Sequence, residues 1–251
     1  MEKAIRKFWP IFVLPTLGAF AIGFLWPFVW GVYLSFCRFT TVQNVSFVGL
    51  QNYANIWIDN TFTHAFFFTA AFTVVSVALI NVFAFALALL LTRKLRGTNL
   101  FRTVFFMPNL IGGIVLGYIW KTLLDGVLAL LDRPLLALDA TAGFWGLIIL
   151  MCWQQIGYMM VIYIAGLQNV PIDLIEAARV DGATDFQTLV RIKIPMVMSN
   201  ITICLFLTLT NSFKLFDQNL SLTNGLPGKD SQMLALNIYD TFYARSGPQW
   251  K

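Results

Sequence analysis

The sequence predicts an all-α polytopic membrane protein, and three observations carry that prediction. Of 251 residues, 58% are hydrophobic and only 12% are charged, whereas a soluble domain carries about 25% charged residues. Mean hydropathy is +0.73. The apolar residues gather into five runs, 9–37, 65–91, 103–124, 143–167 and 196–213. Each is near or above the roughly 20 residues that a helix needs to cross a bilayer. The whole chain, 1–251, reads as a single transmembrane domain.

The first run follows a basic start, MEKAIRKFW, like that of a signal peptide. The run is far longer than the 7–15 residues of a signal-peptide core, so it reads as an uncleaved span. Pro15 and Pro27 predict kinks in it. A polar, aromatic-dotted connector (38–64) leads to the second run, which holds no charge. Arg93, Lys94, Arg96 and Arg102 then make a compact basic loop. The third run is interrupted at Pro108-Asn109 and again at Gly112-Gly113, both helix-breaking pairs. A loop with three aspartates (125–142) separates it from the fourth run, and a polar segment (168–195) separates the fourth from the fifth.

The positive charge is distributed by side. With the N-terminus inside, the inner segments hold Lys3, Arg6, Lys7, Arg93, Lys94, Arg96, Arg102, Arg179, Arg191 and Lys193, ten of the 17 basic residues. The first two outer loops hold Arg38 and Arg133. This bias places the N-terminus and 168–195 in the cytoplasm, and it accounts for the net charge of +5 without nucleic acid as a partner. Five spans leave a tail, 217–251, on the outer face. It contains Gly, Pro and Asn turns and no apolar run that could span. We expect a sixth apolar run of about 20 residues beyond Lys251; a stop codon directly after Lys251 would refute it.

No catalytic constellation is legible. Cys37, Cys152 and Cys204 are far apart and sit in or at the edge of apolar runs, where they read as small packing residues. The lone His64 reads as an interfacial aromatic. No His/Cys/Asp/Glu cluster has metal-ligand spacing. Gly228-Lys229 lacks the preceding glycine and the following Ser or Thr of a phosphate-binding loop. The chain therefore reads as neither an enzyme nor a cofactor binder.

Polar residues in or at the ends of spans are costly and point to helix–helix hydrogen bonds or to a solute path. They are Asn81, Asn109, Lys121, Gln154, Gln155, Asn200, Asn211, Lys214 and Asp217. Asn109, Gln154, Gln155, Asn211, Lys214 and Asp217 are the candidates for lining a path. No span carries the row of buried acids or histidines of a proton relay.

The segment Pro171–Pro195, PIDLIEAARVDGATDFQTLVRIKIP, is the one long charge-rich stretch between two apolar runs. Pro171 suits a helix start and Asp173 the positive end of the helix dipole. Gly182 suits a left-handed helix end. Thr184 with Gln187 forms a capping box that starts a second helix, and Pro195 limits it. The result is a helix–Gly–helix elbow. Leu174, Ala177 and Ala178, at i, i+3 and i+4, form a small apolar face suited to docking in a groove. Asp173, Glu176, Asp181 and Asp185 argue against an elbow that merely lies on the membrane.

Glu176-Ala177-Ala178, three residues, Gly182, nine residues, Ile192, one residue, Ile194-Pro195 resembles the EAA signature of ABC importer permeases, with Ile194 where the family has leucine. FVGLQNY (Phe47–Tyr53), RGTNLFRTVFFMPN (Arg96–Asn109), YIWKTLL (Tyr118–Leu124) and FKLFDQNLSLTNGLPG (Phe213–Gly228) resemble the carbohydrate-uptake branch, with Leu226 in place of a second glycine. The resemblance covers nearly the whole chain. It implies that the chain is a permease pairing with a second homologous permease, commonly as a heterodimer, and with two ATPase subunits that carry ATP and Mg. It also implies an extracytoplasmic solute-binding protein that delivers the sugar, and a coupling elbow docked on the ATPase through Glu176, Ala177, Ala178, Asp181 and Gly182. An ion-coupled secondary transporter and a membrane enzyme or respiratory subunit remain as other classes. Only Lys121 and Lys214 offer cationic groups along the spans, which favours a neutral sugar over a phosphorylated one.

Overall fold

The computed structural model describes residues 2–39, 45–93 and 97–244. Lys94 and Arg96 of the basic loop, and 245–251 of the expected tail, lie outside the described residues. The chain divides into two units, one holding Met1–Thr63 and the other His64–Arg245.

In the first unit, α1 (Glu2–Phe20) passes through a π-turn (Ala21–Leu25) into α2 (Trp26–Ser35). Trp9–Ser35 is apolar and long enough to span a membrane. Pro10 and Pro15 lie inside α1, whereas the π-turn stands directly before Pro27. A proline ring presses on the carbonyl four residues back, here that of Gly23, and the wider turn accommodates it. A two-stranded antiparallel hairpin follows, β1 (Cys37–Phe39) and β2 (Val45–Phe47), with Arg38 opposite Ser46. Asn52 of α3 (Gln51–Ile58) closes this region: its side-chain amide donates to the carbonyls of Ser35 and Cys37, both at 2.9 Å. Tyr53 packs on Phe36 and shares a 2.7 Å hydrogen bond with Ser35. The FVGLQNY stretch thus ties off the end of the first span. Asp59 caps the next helix, accepting from the Thr61 amide at 2.8 Å.

That helix, α4 (Asn60–Leu91), shows how the second unit is built. Ala65, Thr69, Phe72, Ser76, Ile80, Ala84 and Ala88 are buried and recur every three or four residues, so they form one stripe. Phe67, Val74, Val82 and Phe83 are exposed on the other side. The buried stripe is mostly small or polar, with Phe72 and Ile80 as its large members, and the outward side is large and apolar, the distribution expected where lipid is the solvent. The third apolar run is not one helix. It forms α5 (Thr98–Phe106), a 3-10 turn (Met107–Leu110), an extended Ile111 and then α6 (Gly113–Leu130). Helix α6 continues past its expected end at Leu124, because the residues after Asp125 stay apolar and helical. Asp125 is therefore inside the helix, and its carboxylate accepts from the Leu136 amide at 2.9 Å to hold the turn that follows.

Helix α7 (Ala140–Gln168) is the most buried of the long helices. Asp139 caps it through the Thr141 amide at 2.8 Å. A Cβ placed on Gly157 would overlap the carbonyl of Phe105, so glycine is what lets the end of α5 cross so closely. After the elbow come α8 (Ile172–Val180), α9 (Asp185–Thr188), a π-turn (Leu189–Lys193), α10 (Ile194–Met196) and α11 (Met198–Phe213). The segment Asp185–Met196 meets α11 at 72°. Among the described residues four helices are long and apolar enough to cross a membrane, or five if this bent pair counts as one span.

Segment 217–237 belongs to the core of this unit, although by composition it reads as the start of an outer tail. Helix α12 (Asp217–Leu222) packs on α6 and α7. Leu222 and Met233 join the apolar core. Asn219 donates to the Ser231 carbonyl at 2.8 Å and accepts from the Met233 amide at 2.9 Å. The Leu234 amide, at the start of α13 (Leu234–Tyr239), donates to Thr69 of α4 at 2.8 Å.

One buried network joins three long helices. Tyr163 of α7 donates to Asn81 of α4 at 2.6 Å, and Asn81 donates to Thr208 of α11 at 2.9 Å. Such interhelical bonds contribute about 0.6 kcal/mol each and up to about 1.7. Asn81→Ala removes both and strands the Tyr163 hydroxyl, so we expect a loss of about 1–2 kcal/mol. Unfolding of the purified protein in mixed micelles measures it; an unchanged midpoint would show that the network does not hold the helices together.

Candidate functional site

The break in the third run creates the first functional feature. Ile111 is extended (φ −89°, ψ 133°), so its carbonyl lies outside any helical ladder. Gln154 of α7 supplies the partner: its Nε2 donates to that carbonyl at 3.2 Å, and its Oε1 accepts from Gln218 Nε2 at 2.7 Å. This clasp ties the broken run, α7 and α12 together. A Cβ on Gly113, the first residue of α6, would lie 2.8 Å from Cβ of Asp217, so α12 approaches there only because the residue is glycine.

Beside the clasp lies a cavity of about 300 Å³. It brings together Gln154, Gln155, Asn211, Lys214 and Asp217, five of the six path candidates. Asn109 does not line it; it sits half-buried in the 3-10 turn, two residues from Ile111. Gln155 is 8% exposed, and its Oε1 is buried with no hydrogen-bond partner among the described residues. Lys214 and Asp217 both line the cavity and form no ion pair with each other. Their charges balance, and every other lining group is neutral. Asn81 and Asn200, by contrast, serve packing: Asn200 donates to the Ile162 carbonyl on α7 at 3.2 Å. Gly113, Met151, Leu215, Phe216 and Gln218 also line the cavity and were not among the candidates. A signal for Gln218 was available, since it follows Asp217 directly in the FKLFDQN stretch.

The elbow is the second feature. Pro171 stands at the N-cap of α8. At the other end Gly182 has φ +78°, and two bonds close the helix: the Gly182 amide to the Arg179 carbonyl at 3.1 Å and the Ala183 amide to the Ala178 carbonyl at 2.9 Å. This is a Schellman end, which needs a left-handed residue where glycine stands. Thr184 and Gln187 form the reciprocal capping box, at 2.8 and 3.2 Å. Glu176, Ala177, Asp181 and Gly182 are exposed, and Ala178 is half-buried. The expected Leu174–Ala177–Ala178 face is therefore divided. Leu174 and Ala177 point outward with Asp181, while Ala178 leans toward the half-buried side of Ile175. Among the described residues no three His, Cys, Asp or Glu side chains converge as a metal site.

Comparison with known proteins agrees with this architecture. The chain is 43% identical, over 93% of its length and 82% of the relative's, to the probable starch degradation products transport system permease protein AmyD of Thermoanaerobacterium thermosulfurigenes. It is 28% identical, over 96% of its length and 86% of the relative's, to the multiple sugar-binding transport system permease protein MsmF of Streptococcus mutans. Its fold matches a chain of the bacterial alginate ABC transporter solved in complex with an alginate pentasaccharide-bound periplasmic protein, with a TM-score of 0.79 at 20% identity over 100% of this chain and 88% of that one. Residues 96–247 match the family described as binding-protein-dependent transport system inner membrane component. That stretch contains the elbow, the clasp and every lining residue of the cavity, and the chain belongs to this family, the multi-pass membrane permeases of ABC importers.

Proposed function

We propose that this chain forms the translocation path for a neutral carbohydrate and draws its energy from a separate ATPase through the elbow. The observation that carries the reading is the cavity: amide and charged side chains from α7, α11 and α12 converge on it, with one cation and one anion among them. A sugar presents hydroxyls and no charge. It is matched by carboxamides that donate and accept, those of Gln154, Gln155 and Asn211. The names of the sugar-transport relatives point the same way.

The elbow is the proposed docking point for the ATPase. Glu176, Ala177, Asp181 and Gly182 are exposed, and small side chains let a helix lie close in a groove. The inner excess of Lys and Arg supports a cytoplasmic N-terminus and a cytoplasmic 168–195 loop. On this reading the working assembly holds two ATPase subunits, a second homologous permease and an extracytoplasmic solute-binding protein. ATP and Mg reside on the ATPases, and this chain has no cofactor of its own. A secondary, ion-coupled mechanism is not favoured, since Asp217 is the one acid at the cavity.

Two variants separate the roles. Glu176→Lys and Gly182→Asp should abolish uptake while the protein stays in the membrane; Gly182→Asp also strains a backbone at φ +78°, at a cost of about 1 kcal/mol. If assemblies carrying either variant keep solute-stimulated ATPase activity, the docking role is wrong.

Gln155→Leu should raise the KM for sugar uptake about tenfold, the effect of one lost hydrogen bond to a solute. It should leave thermal stability unchanged or raise it, because it removes a buried acceptor without a partner. A stability loss with unchanged KM would make Gln155 a structural residue instead.

A further inference from the structure

A second, larger cleft lies away from the clasp, between the end of α4 and the elbow. Its volume is about 600 Å³. Three cations from three separate elements line it: Arg93 just past α4, Arg179 of α8 and Lys193 of the π-turn. One acid, Asp185, lies with them. The side chains of the three cations form no ion pair or hydrogen bond among the described residues. Like charges brought together by folding repel, and among the residues lining the cleft Asp185 alone offsets them. The rest of the wall is mixed: Leu89, Ile175, Phe186 and Leu189 are apolar, and Thr92 and Thr188 add two hydroxyls. Phe186 is 73% exposed, and Leu90 beside Leu89 is exposed on a helix long and apolar enough to span a membrane.

We infer that this cleft holds the phosphate headgroup of an anionic phospholipid, with its chains lying along α4. Charge selects the headgroup: the lining carries a net charge of two positive units from Arg93, Arg179 and Lys193 against Asp185. Arginine matches phosphate oxygens in a bidentate fork, and basic pockets between helices at the cytoplasmic face bind acidic headgroups. Size and wall chemistry select a lipid over a free anion. The volume corresponds to about 20 waters at liquid density, far more than one phosphate fills, and the apolar part of the wall, Leu89, Ile175, Phe186 and Leu189, gains nothing from a soluble ion. The cleft also leaves the proposed docking face free. Ile175 and Arg179, at i and i+4, face it, while Leu174, Ala177 and Asp181 lie on the opposite side of α8. The inference rests on the membrane placement of α4 and on the proposed cytoplasmic, ATPase-docking elbow, and it does not depend on which solute is carried.

Native mass spectrometry of the full chain tests it, after extraction from nanodiscs of phosphatidylcholine alone or doped with phosphatidylglycerol, with and without the partner ATPase. One phosphatidylglycerol per chain should be retained, with the ATPase bound or absent. Arg93→Gln, Arg179→Gln and Lys193→Gln should each weaken retention about fivefold, and Arg133→Gln, between α6 and α7, should not. Asp185→Asn should strengthen retention by a similar factor, which keeps the test decisive if the arginine variants assemble poorly. Equal retention of the two lipids, displacement of the lipid by the ATPase, or binding of inorganic phosphate in detergent without lipid would each overturn it.

Discussion

A carbonyl that leaves a helix inside a membrane must find a donor within the protein, because lipid offers none. The bond from Gln154 to the Ile111 carbonyl meets that demand, and much of the second unit follows from it. Pro108 and the Gly112-Gly113 pair end one helix and begin another. Without Gln154 the break would leave an unsatisfied carbonyl at a cost of about 1–3 kcal/mol. With it, the break is stable. Gln154 can also accept from Gln218, so the same side chain seats α12. The space left between the broken run, α7 and α12 is the polar cavity. Structure and candidate site therefore share one carboxamide.

How much of this was legible in the sequence depends on the range of the interaction. The elbow was legible in detail, since capping is local: Pro171, Gly182, Thr184 and Gln187 act within a few residues of themselves, and each stands where its chemistry placed it. The interruption of the third run was legible for the same reason. Hydropathy found the apolar runs, because span length is a transfer property of a segment. It failed on 217–237. That segment enters the core through Asn219, Thr223, Ser231 and Gln232, which are polar yet buried, and a hydropathy average counts them as solvent-facing. The boundary at Leu124 failed because one aspartate was read as the end of a helix, when its carboxylate in fact holds the turn after it. The path candidates were identified one by one as costly residues in spans. That five share a cavity while Asn81 and Asn200 do not is a tertiary fact, set by helix rotation that no local pattern encodes.

The same geometry connects the two features. Helix α11 begins one residue after the buried Val197 at the elbow and ends at Phe213, beside Asn211 and Lys214 of the cavity. Its 16 residues span about 24 Å at 1.5 Å per residue. Helix α7 makes the parallel connection, with Gln154 and Gln155 on the cavity and Gln168 three residues before Pro171. A force applied at the elbow therefore meets two rods that both reach the cavity, α11 with its end and α7 with its middle. The Asn81 network cross-braces them, since Tyr163 belongs to α7 and Thr208 to α11.

That bracing limits which motion is available. If α7 and α11 slid independently, the two bonds of Asn81 would break in hydrocarbon, where no water replaces them. Moving the two helices with α4 as one body keeps them. Away from the cavity the broken run packs closely on α7, as where Phe105 crosses Gly157; at the cavity the join is the Gln154 clasp. Its bonds to Ile111 and Gln218 face a cavity whose occupant, a polyhydroxylated solute on the proposed reading, offers replacement donors and acceptors. The cost of opening the clasp is thus lowest when solute is present. On that reading the path opens where a ligand can take over the hydrogen bonds and stays shut where only lipid could.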